Sequence, residues 1–236
     1  MKKILILIIF SLISYEGICC VTCNRQLQEK IYDSTFFPNL FTMLSAFIVL
    51  AIIVVLLTYL SNKKHTKLLN DNTSSDILNP VPLTTAAMVL GIGIGGFIDG
   101  IVFHQILQWH EMISSKIPPI TLEAKSVNMF WDGIFHTFNL LIVITGMLLL
   151  WKLLQHRGID KSGRLLAGGL LFGWGLFNIV EGIIDHQLLK LHNVRDVSNN
   201  IDAWNYGFLV VSVIIFALGY YVVHGKPSKK DISKCS

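Results

Sequence analysis

The chain has 236 residues, of which 53% are hydrophobic and only 14% are charged. A soluble domain usually carries about 25% charged residues, so this composition excludes an ordinary soluble protein. The formal charge of +4 is small and scattered, and we expect no nucleic-acid partner.

Apolar stretches of about 20 residues separate the short clusters of charge, and each stretch is long enough to cross a bilayer as a helix. Because lipid cannot hydrogen-bond to the backbone, a spanning segment must be a helix or part of a closed barrel. The sequence does not show the strict two-residue alternation of barrel strands. It therefore predicts an all-α integral membrane protein whose first partner is the lipid bilayer.

Residues 1–19 are predicted to form a secretory signal peptide. Lys2 and Lys3 precede the apolar run Ile4–Ile13, and small residues follow near Gly17–Cys20. A basic region, an apolar region and a small-residue region in this order are typical of a cleaved signal peptide. The alternative is an uncleaved sixth membrane span.

Residues 20–80 form a front module with one predicted span, at about 39–60, and a polar linker that ends at Pro80. The exported stretch of this module contains Cys20 and Cys23. Cysteines with this spacing outside the cytoplasm can form a disulfide, act as a redox pair or supply half of a metal site. The pair is therefore a candidate redox or metal pair.

Residues 81–224 are predicted to form a duplicated core with spans at about 83–107, 128–151, 165–189 and 204–224. A polar motif recurs at an offset of 82 residues, in which Asp99-Gly100, His104-Gln105 and His110 align with Glu181-Gly182, His186-Gln187 and His192. Each copy belongs to one helical hairpin that enters from the same side, so an axis along the membrane normal relates the copies. We expect a four-helix transmembrane core of two repeated hairpins, with the N-terminal span outside it.

Basic residues are sorted by loop. With the N-terminus inside, 13 of the 19 Lys and Arg residues fall in the inner segments, and none falls within a predicted span. This is the positive-inside pattern, so the basic tail 225–236 is predicted to be cytoplasmic. The polar motifs then lie on the periplasmic side of a bacterial inner membrane.

Ionisable side chains concentrate at the outer ends of the core spans, where they have no Lys or Arg within the span to pair with. Such groups are costly inside a membrane and mark functional sites by default. Imidazole with carboxylate suits copper, zinc or non-haem iron, and two imidazoles from two helices suit haem b. The predicted haem ligands are His104 and His186. The predicted metal ligands are His104, His136, His186, Asp99, Asp132, Glu181 and Asp185, with His110 and His192 as secondary ligands in the outer loops.

Helix geometry limits how these side chains can meet. On an ideal α-helix Asp99 and His104 point about 140° apart, and His104 and His110 point about 240° apart. The three residues therefore cannot face one point from one ideal helix. We expect a site assembled from several helices, or one histidine in a loop.

Three motifs are specific enough to indicate a family: Gly96-Phe-Ile-Asp-Gly-Ile-Val-Phe-His-Gln-Ile-Leu-Gln-Trp-His110, Trp131-Asp-Gly-Ile-Phe-His136 and Glu181-Gly-Ile-Ile-Asp-His186-Gln. Over residues of about 83–224 the chain resembles a bacterial family of predicted membrane proteins called domain of unknown function 2243. The resemblance implies the four-span core and the importance of the same polar residues, but no established activity. It also implies a link to cytochrome oxidase assembly genes, which favours copper or haem. Asn205 departs from the family, whose typical members carry Asp there.

The leading hypothesis is a non-enzymatic membrane protein that binds a transition metal at the outer cluster, with copper favoured. Its expected partners are a respiratory oxidase during assembly or a metal-delivery protein. The alternative is a membrane oxidoreductase or electron carrier that binds haem b. A third hypothesis, a proton or cation transporter, ranks lower because the inner halves of the core spans carry almost no polar residues.

Overall fold

A computed structural model describes residues 25–71, 78–156 and 158–225 of the chain. Within these ranges the fold is all-helical and has no β-strand. The predicted signal peptide, Cys20 and Cys23, and the basic tail beyond the last range lie outside the described residues.

Six α-helices make up the described fold, and two of them continue as π-helical segments. The helices are α1 (Arg25–Ile31), α2 (Phe36–Asp71), α3 (Val81–Ile98), α4 (Leu122–Leu154), α5 (Gly163–Glu181) and α6 (Ile201–His224). The π-helical segments, Asp99–Ile106 and Gly182–Leu188, follow α3 and α5 without a break.

Five of the described helices are long and apolar enough to cross a membrane: Phe36–Lys67, Val81–Ile106, Leu122–Leu154, Gly163–Leu188 and Ile201–His224. The prediction of a multi-pass helical membrane protein is confirmed. The front span is longer than predicted, because α2 continues through Lys63 and Lys64 as far as Asp71. Lysine and leucine are good helix formers, which explains why the helix extends into the predicted linker.

The two inner helices, α3 and α5, pack against each other at the centre of the bundle. Helix α4 packs against α3, α6 packs against α5, and α2 lies against both inner helices. In the apolar part of the span that contains α3, 61% of the residues are buried inside the protein. In the apolar part of α6, only 11% of the residues are buried. The outer helices therefore present apolar side chains to the lipid, such as Ile52 of α2, Leu148 of α4 and Val210 of α6.

Close contact between α3 and α5 depends on glycine. A Cβ at Gly91 would collide with the backbone of Leu170, and a Cβ at Gly173 would collide with the backbone of Met88. The two contacts are counterparts, because Gly91 and Gly173, like Met88 and Leu170, are 82 positions apart. Small residues at such crossings let membrane helices approach closely. This packing brings the ends of α3 and α5 side by side.

The connections decide which ends of the helices meet. Residues 107–121 join the first π-helical segment to α4, and residues 189–200 join the second to α6. Both connections lie at one end of the bundle, whereas a bridge between Asn79 and Ile159 lies at the other end. The polar motifs therefore share one end of the molecule, and the side of the membrane that this end faces stays a prediction.

Candidate functional site

Each inner helix changes from α to π at a buried carboxylate, Asp99 after α3 and Glu181 at the end of α5. In a π-helix the hydrogen bonds join residues five apart, so the fifth residue after the carboxylate returns to its side. Nε2 of His104 lies 3.1 Å from Oδ2 of Asp99, and Nε2 of His186 lies 3.0 Å from Oε1 of Glu181. The second pair is close but is not aligned as a hydrogen bond. The angular separation calculated for an ideal α-helix does not apply here, because these segments are π-helical. His110 lies in the connection after the first segment, which is one of the two expected alternatives.

A sharp turn ends each π-helical segment. Gln108 and Lys190 have left-handed φ values of 50° and 48°, which residues other than glycine adopt rarely. In both turns the N–H of the next residue bonds to the carbonyl six positions back, one position further than in the Schellman motif that ends many α-helices. The chain then re-enters the bundle, where His110 and His192 are only 3% and 1% exposed. The two histidines expected as secondary ligands in the outer loops are therefore buried at the centre of the site.

Four imidazole rings form one buried group, the histidine cluster, which consists of His104, His110, His186 and His192. Ring centroids lie 4.3 Å apart for His104 and His110, and 4.7 Å apart for His186 and His192. The rings of His110 and His192 stack at 4.5 Å with planes 9° apart. This stacking joins the two copies of the motif in one centre.

The histidine cluster and its carboxylates divide into two groups of three ligands. The first group is Asp99, His104 and His110, and the second group is Glu181, His186 and His192. Within each group one ligand atom per residue lies within 4.8 Å of the other two. Ligand atoms about 2.1 Å from a metal ion lie about 3 Å apart at a right angle and about 4 Å apart on opposite sides. Each group therefore needs only a small contraction to hold one ion.

Hydrogen bonds from outside orient the rings of the first group. Nδ1 of His104 lies 2.9 Å from Oδ1 of Asp132, which also accepts the backbone N–H of Met112 at 2.9 Å. Nδ1 of His110 donates to the carbonyl of Val194 at 2.9 Å. Partners of this kind fix the ring orientation and leave Nε2 as the ligand atom.

The rings of the second group have no such partners among the described residues. Asn205 corresponds to Asp132, and its Oδ1 accepts the backbone N–H of Val194 at 2.9 Å. Its amide group donates to the preceding loop and not to a ring. Within the described chain, Nδ1 of His186 and Nδ1 of His192 have no hydrogen-bond partner. The two groups thus contain similar ligands but differ in the support of those ligands.

Four carboxylates within the described membrane spans are buried at this end of the bundle: Asp99, Asp132, Glu181 and Asp185. No described Lys or Arg forms an ion pair with any of them. Lys125 approaches only Glu111, at 4.0 Å. Because a buried carboxylate without a compensating charge is costly, the charge that offsets these groups must come from an imidazolium, such as that of His104, or from a bound cation.

Three predicted ligands, Asp132, His136 and Asp185, lie outside both groups, and Asp132 instead contacts the ring of His104. His136 is one turn further along α4 than Asp132, so it sits deeper in the bundle than the cluster. Its half-buried ring stacks on Phe97 at 5.9 Å and fills the space beside Gly100. The spacing of four residues correctly predicts that His136 lies on the same face of the helix as Asp132. It could not show that His136 lies deeper in the bundle than the histidine cluster.

Sequence reasoning missed Glu111, a buried carboxylate beside the cluster. Burial, followed by the charge of Asp132, raises the pKa of Glu111 to about 7. Burial and the charge of His104 lower the pKa of His110 to about 3, and burial holds the pKa of His192 well below its usual range. The available signal for Glu111 was its position directly after His110.

Residues 86–226 match a protein family described as predicted membrane protein, DUF2243. The matched range is more than half of the chain and includes both ligand groups. No curated protein and no solved structure matches the chain. The resemblance expected from the motifs is confirmed, and the chain belongs to the DUF2243 family of predicted membrane proteins.

Proposed function

We propose that the histidine cluster binds two transition-metal ions, one in each group, with copper favoured over zinc and iron. The observation that carries the proposal is a buried imidazole nitrogen paired with a carboxylate oxygen, at 3.1 Å in the first group and 3.0 Å in the second. Both distances are close to the spacing of two neighbouring ligands on one ion. A second imidazole in each group supplies the third ligand.

Unpaired ligand atoms support bound ions at this site. Nε2 of His110 and both ring nitrogens of His186 and His192 are buried without a hydrogen-bond partner in the described chain. An unsatisfied buried polar group costs about 1–3 kcal/mol, and several lie together here. A cation would use these lone pairs and would also offset the neighbouring carboxylates.

The first group is the tighter of the two sites in this proposal. Asp132 and the carbonyl of Val194 orient its rings, whereas the second group has no equivalent partners in the described residues. Loss of an outer partner typically weakens metal binding about 10–100-fold. We therefore expect two binding steps whose affinities differ by about that factor.

The ligand types set the range of metals. Imidazole nitrogen with carboxylate oxygen suits copper(II), zinc and non-haem iron. In this proposal the protein is not an enzyme but handles metal in the membrane, and the supply of copper to a respiratory oxidase or a metal-delivery protein is the role we favour.

The packing of the rings ranks haem b below bare metal ions. His104 and His186, the predicted haem ligands, have His110 and His192 at ring distances of 4.3 Å and 4.7 Å. A porphyrin between the first two rings would have to displace the other two.

Transport ranks third among the candidate functions, because direct backbone contact between α3 and α5 closes the middle of the bundle.

Elemental analysis and a visible spectrum of the same purified sample test the proposal. After loading with copper(II) or zinc and removal of the excess, we expect about two ions per chain and no Soret band. His104→Ala combined with His186→Ala should lose both ions. The control His224→Ala, an exposed histidine at the other end of the bundle, should keep both. A wild-type protein that takes up no metal, or a double variant that keeps the full ratio, contradicts the proposal.

A further inference from the structure

A cleft lies at the end of the bundle opposite the histidine cluster. The C-terminal half of α2, the beginnings of α3 and α5, and the end of α6 surround about 450 Å³ of space. We propose that this cleft binds an anionic phospholipid, whose phosphate lies at the polar end and whose acyl chain lies along the apolar wall.

Charged side chains gather at the polar end of the cleft. Lys64 and Arg164 supply positive charge, Asp160 supplies negative charge, and His65 and His224 line the same end. Neither Lys64 nor Arg164 forms an ion pair with any described residue. Basic pockets between membrane helices are typical binding sites for anionic headgroups. The two unpaired cations therefore favour a phosphate at this end.

The guanidinium group of Arg164 is fixed in position by the end of α6. Its Nη1 contacts the carbonyls of Val222 at 2.9 Å, Val223 at 2.6 Å and Gly225 at 2.7 Å. These bonds connect the beginning of α5 to the end of α6. Nε of Arg164 is buried and has no partner in the described chain. Because guanidinium carries five N–H donors, donors remain that can bind a phosphate oxygen.

The deeper part of the cleft is apolar, and Leu57, Met88 and Phe172 line it. Leu57 lies seven positions before Lys64, and Phe172 lies eight positions after Arg164. At 1.5 Å per residue these side chains lie about 10–12 Å deeper along their helices than the two cations. An inorganic anion would use only the polar end, whereas a phospholipid would use the full length. The change from polar to apolar with depth therefore favours a lipid over free phosphate.

Native mass spectrometry of the delipidated chain tests the proposal by titration with phosphatidylglycerol or phosphatidylcholine. We expect one phosphatidylglycerol to bind in preference to phosphatidylcholine. Lys64→Gln removes one charge from the cleft and should weaken phosphatidylglycerol binding about fivefold. The matched control Lys63→Gln should leave binding unchanged, because Lys63 does not line the cleft.

Three results would overturn the lipid site. Equal binding of the two lipids would show that the cations do not select a headgroup, and this comparison needs only the wild-type chain. An equal loss in Lys64→Gln and Lys63→Gln would indicate general attraction to the basic end of the molecule. Displacement of the lipid by an equal concentration of inorganic phosphate would identify a site for a free anion, whereas retention of the lipid supports the proposal.

Discussion

The two ligand groups share a backbone arrangement and differ in one supporting side chain. The N–H of Met112 donates to Asp132, and the N–H of Val194 donates to Asn205, so each side chain anchors the loop after its π-helical segment. Only Asp132 also reaches an imidazole, that of His104. Both contacts of Asp132 use the same oxygen, Oδ1, whereas Oδ1 of Asn205 accepts only the backbone N–H of Val194.

Anchoring of the loop after the π-helical segment and orientation of the histidine ring are therefore two separate roles. A carboxylate beside an imidazole raises the basicity of the ring and fixes its orientation, and an amide does neither as well. Two copies of one motif can therefore keep the same fold and the same ligand types while their metal affinities diverge.

The largest expected effect is a loss of stability at the contact between α3 and α5, where the two copies of the repeat are most alike. Gly91→Ala and Gly173→Ala each place a methyl group against the backbone of the facing helix. Each should lower the free energy of unfolding by about 1–3 kcal/mol, as overpacking does. Thermal unfolding in detergent measures the loss. Gly133→Ala is the control, because no described group outside its own stretch of helix lies within 4 Å of the added Cβ. Clearly unequal losses at Gly91 and Gly173 would contradict the correspondence.

Asp132→Asn should make the first group resemble the second. The backbone N–H of Met112 keeps an oxygen acceptor, but His104 loses its carboxylate partner. Affinity for the first ion should fall about 10–100-fold in a titration against a competing chelator. Asp185→Asn, which removes a buried carboxylate outside both groups, is the matched control. An equal fall in both variants would point to a general loss of charge.

Asn205→Asp makes the converse change. A carboxylate at this position would keep the bond to the N–H of Val194 and offer His186 the partner that His104 has. Affinity for the second ion should rise about tenfold, and the two binding steps should move closer together. Isothermal titration of the wild type and the variant measures both steps. A separation that stays the same would rule out position 205 as the cause of the difference.

The smallest effect is expected at the left-handed turns. Lys190→Gly removes a side chain from a backbone conformation that favours glycine, and stability should rise by less than about 1 kcal/mol. Gln108→Gly should gain less, because the Gln108 side chain also accepts a hydrogen bond from Lys125 at 2.9 Å. Thermal unfolding of the two variants gives the order, and a larger gain for Gln108→Gly would show that the bond from Lys125 to Gln108 does not stabilise the fold.

The sequence predicts much of this fold, because its signals are direct. Apolar length identifies the spans, and the connections between hairpins bring the polar motifs to one end of the bundle. The offset of 82 residues is enough to pair His104 with His186 and His110 with His192. These features depend on composition and spacing alone.

The geometry of the site was harder to predict for physical reasons. Angles calculated for an α-helix do not apply to a π-helical segment, and no residue type marks the change. The only trace is the spacing of five between Asp99 and His104, repeated between Glu181 and His186. The turn at Gln108 has a left-handed conformation but no glycine, the residue that usually indicates one. The sequence therefore could not show that His110 re-enters the bundle.

The stacked rings of His110 and His192 belong to different groups and lie only 4.5 Å apart. An ion held by one ring would restrict its movement and bring positive charge close to the other ring, where the surroundings screen charge poorly. Occupancy of either group should then disfavour occupancy of the other, and such coupling is reciprocal. A centre with this negative cooperativity would fill gradually and respond to metal concentration over a wider range than two independent sites of equal affinity.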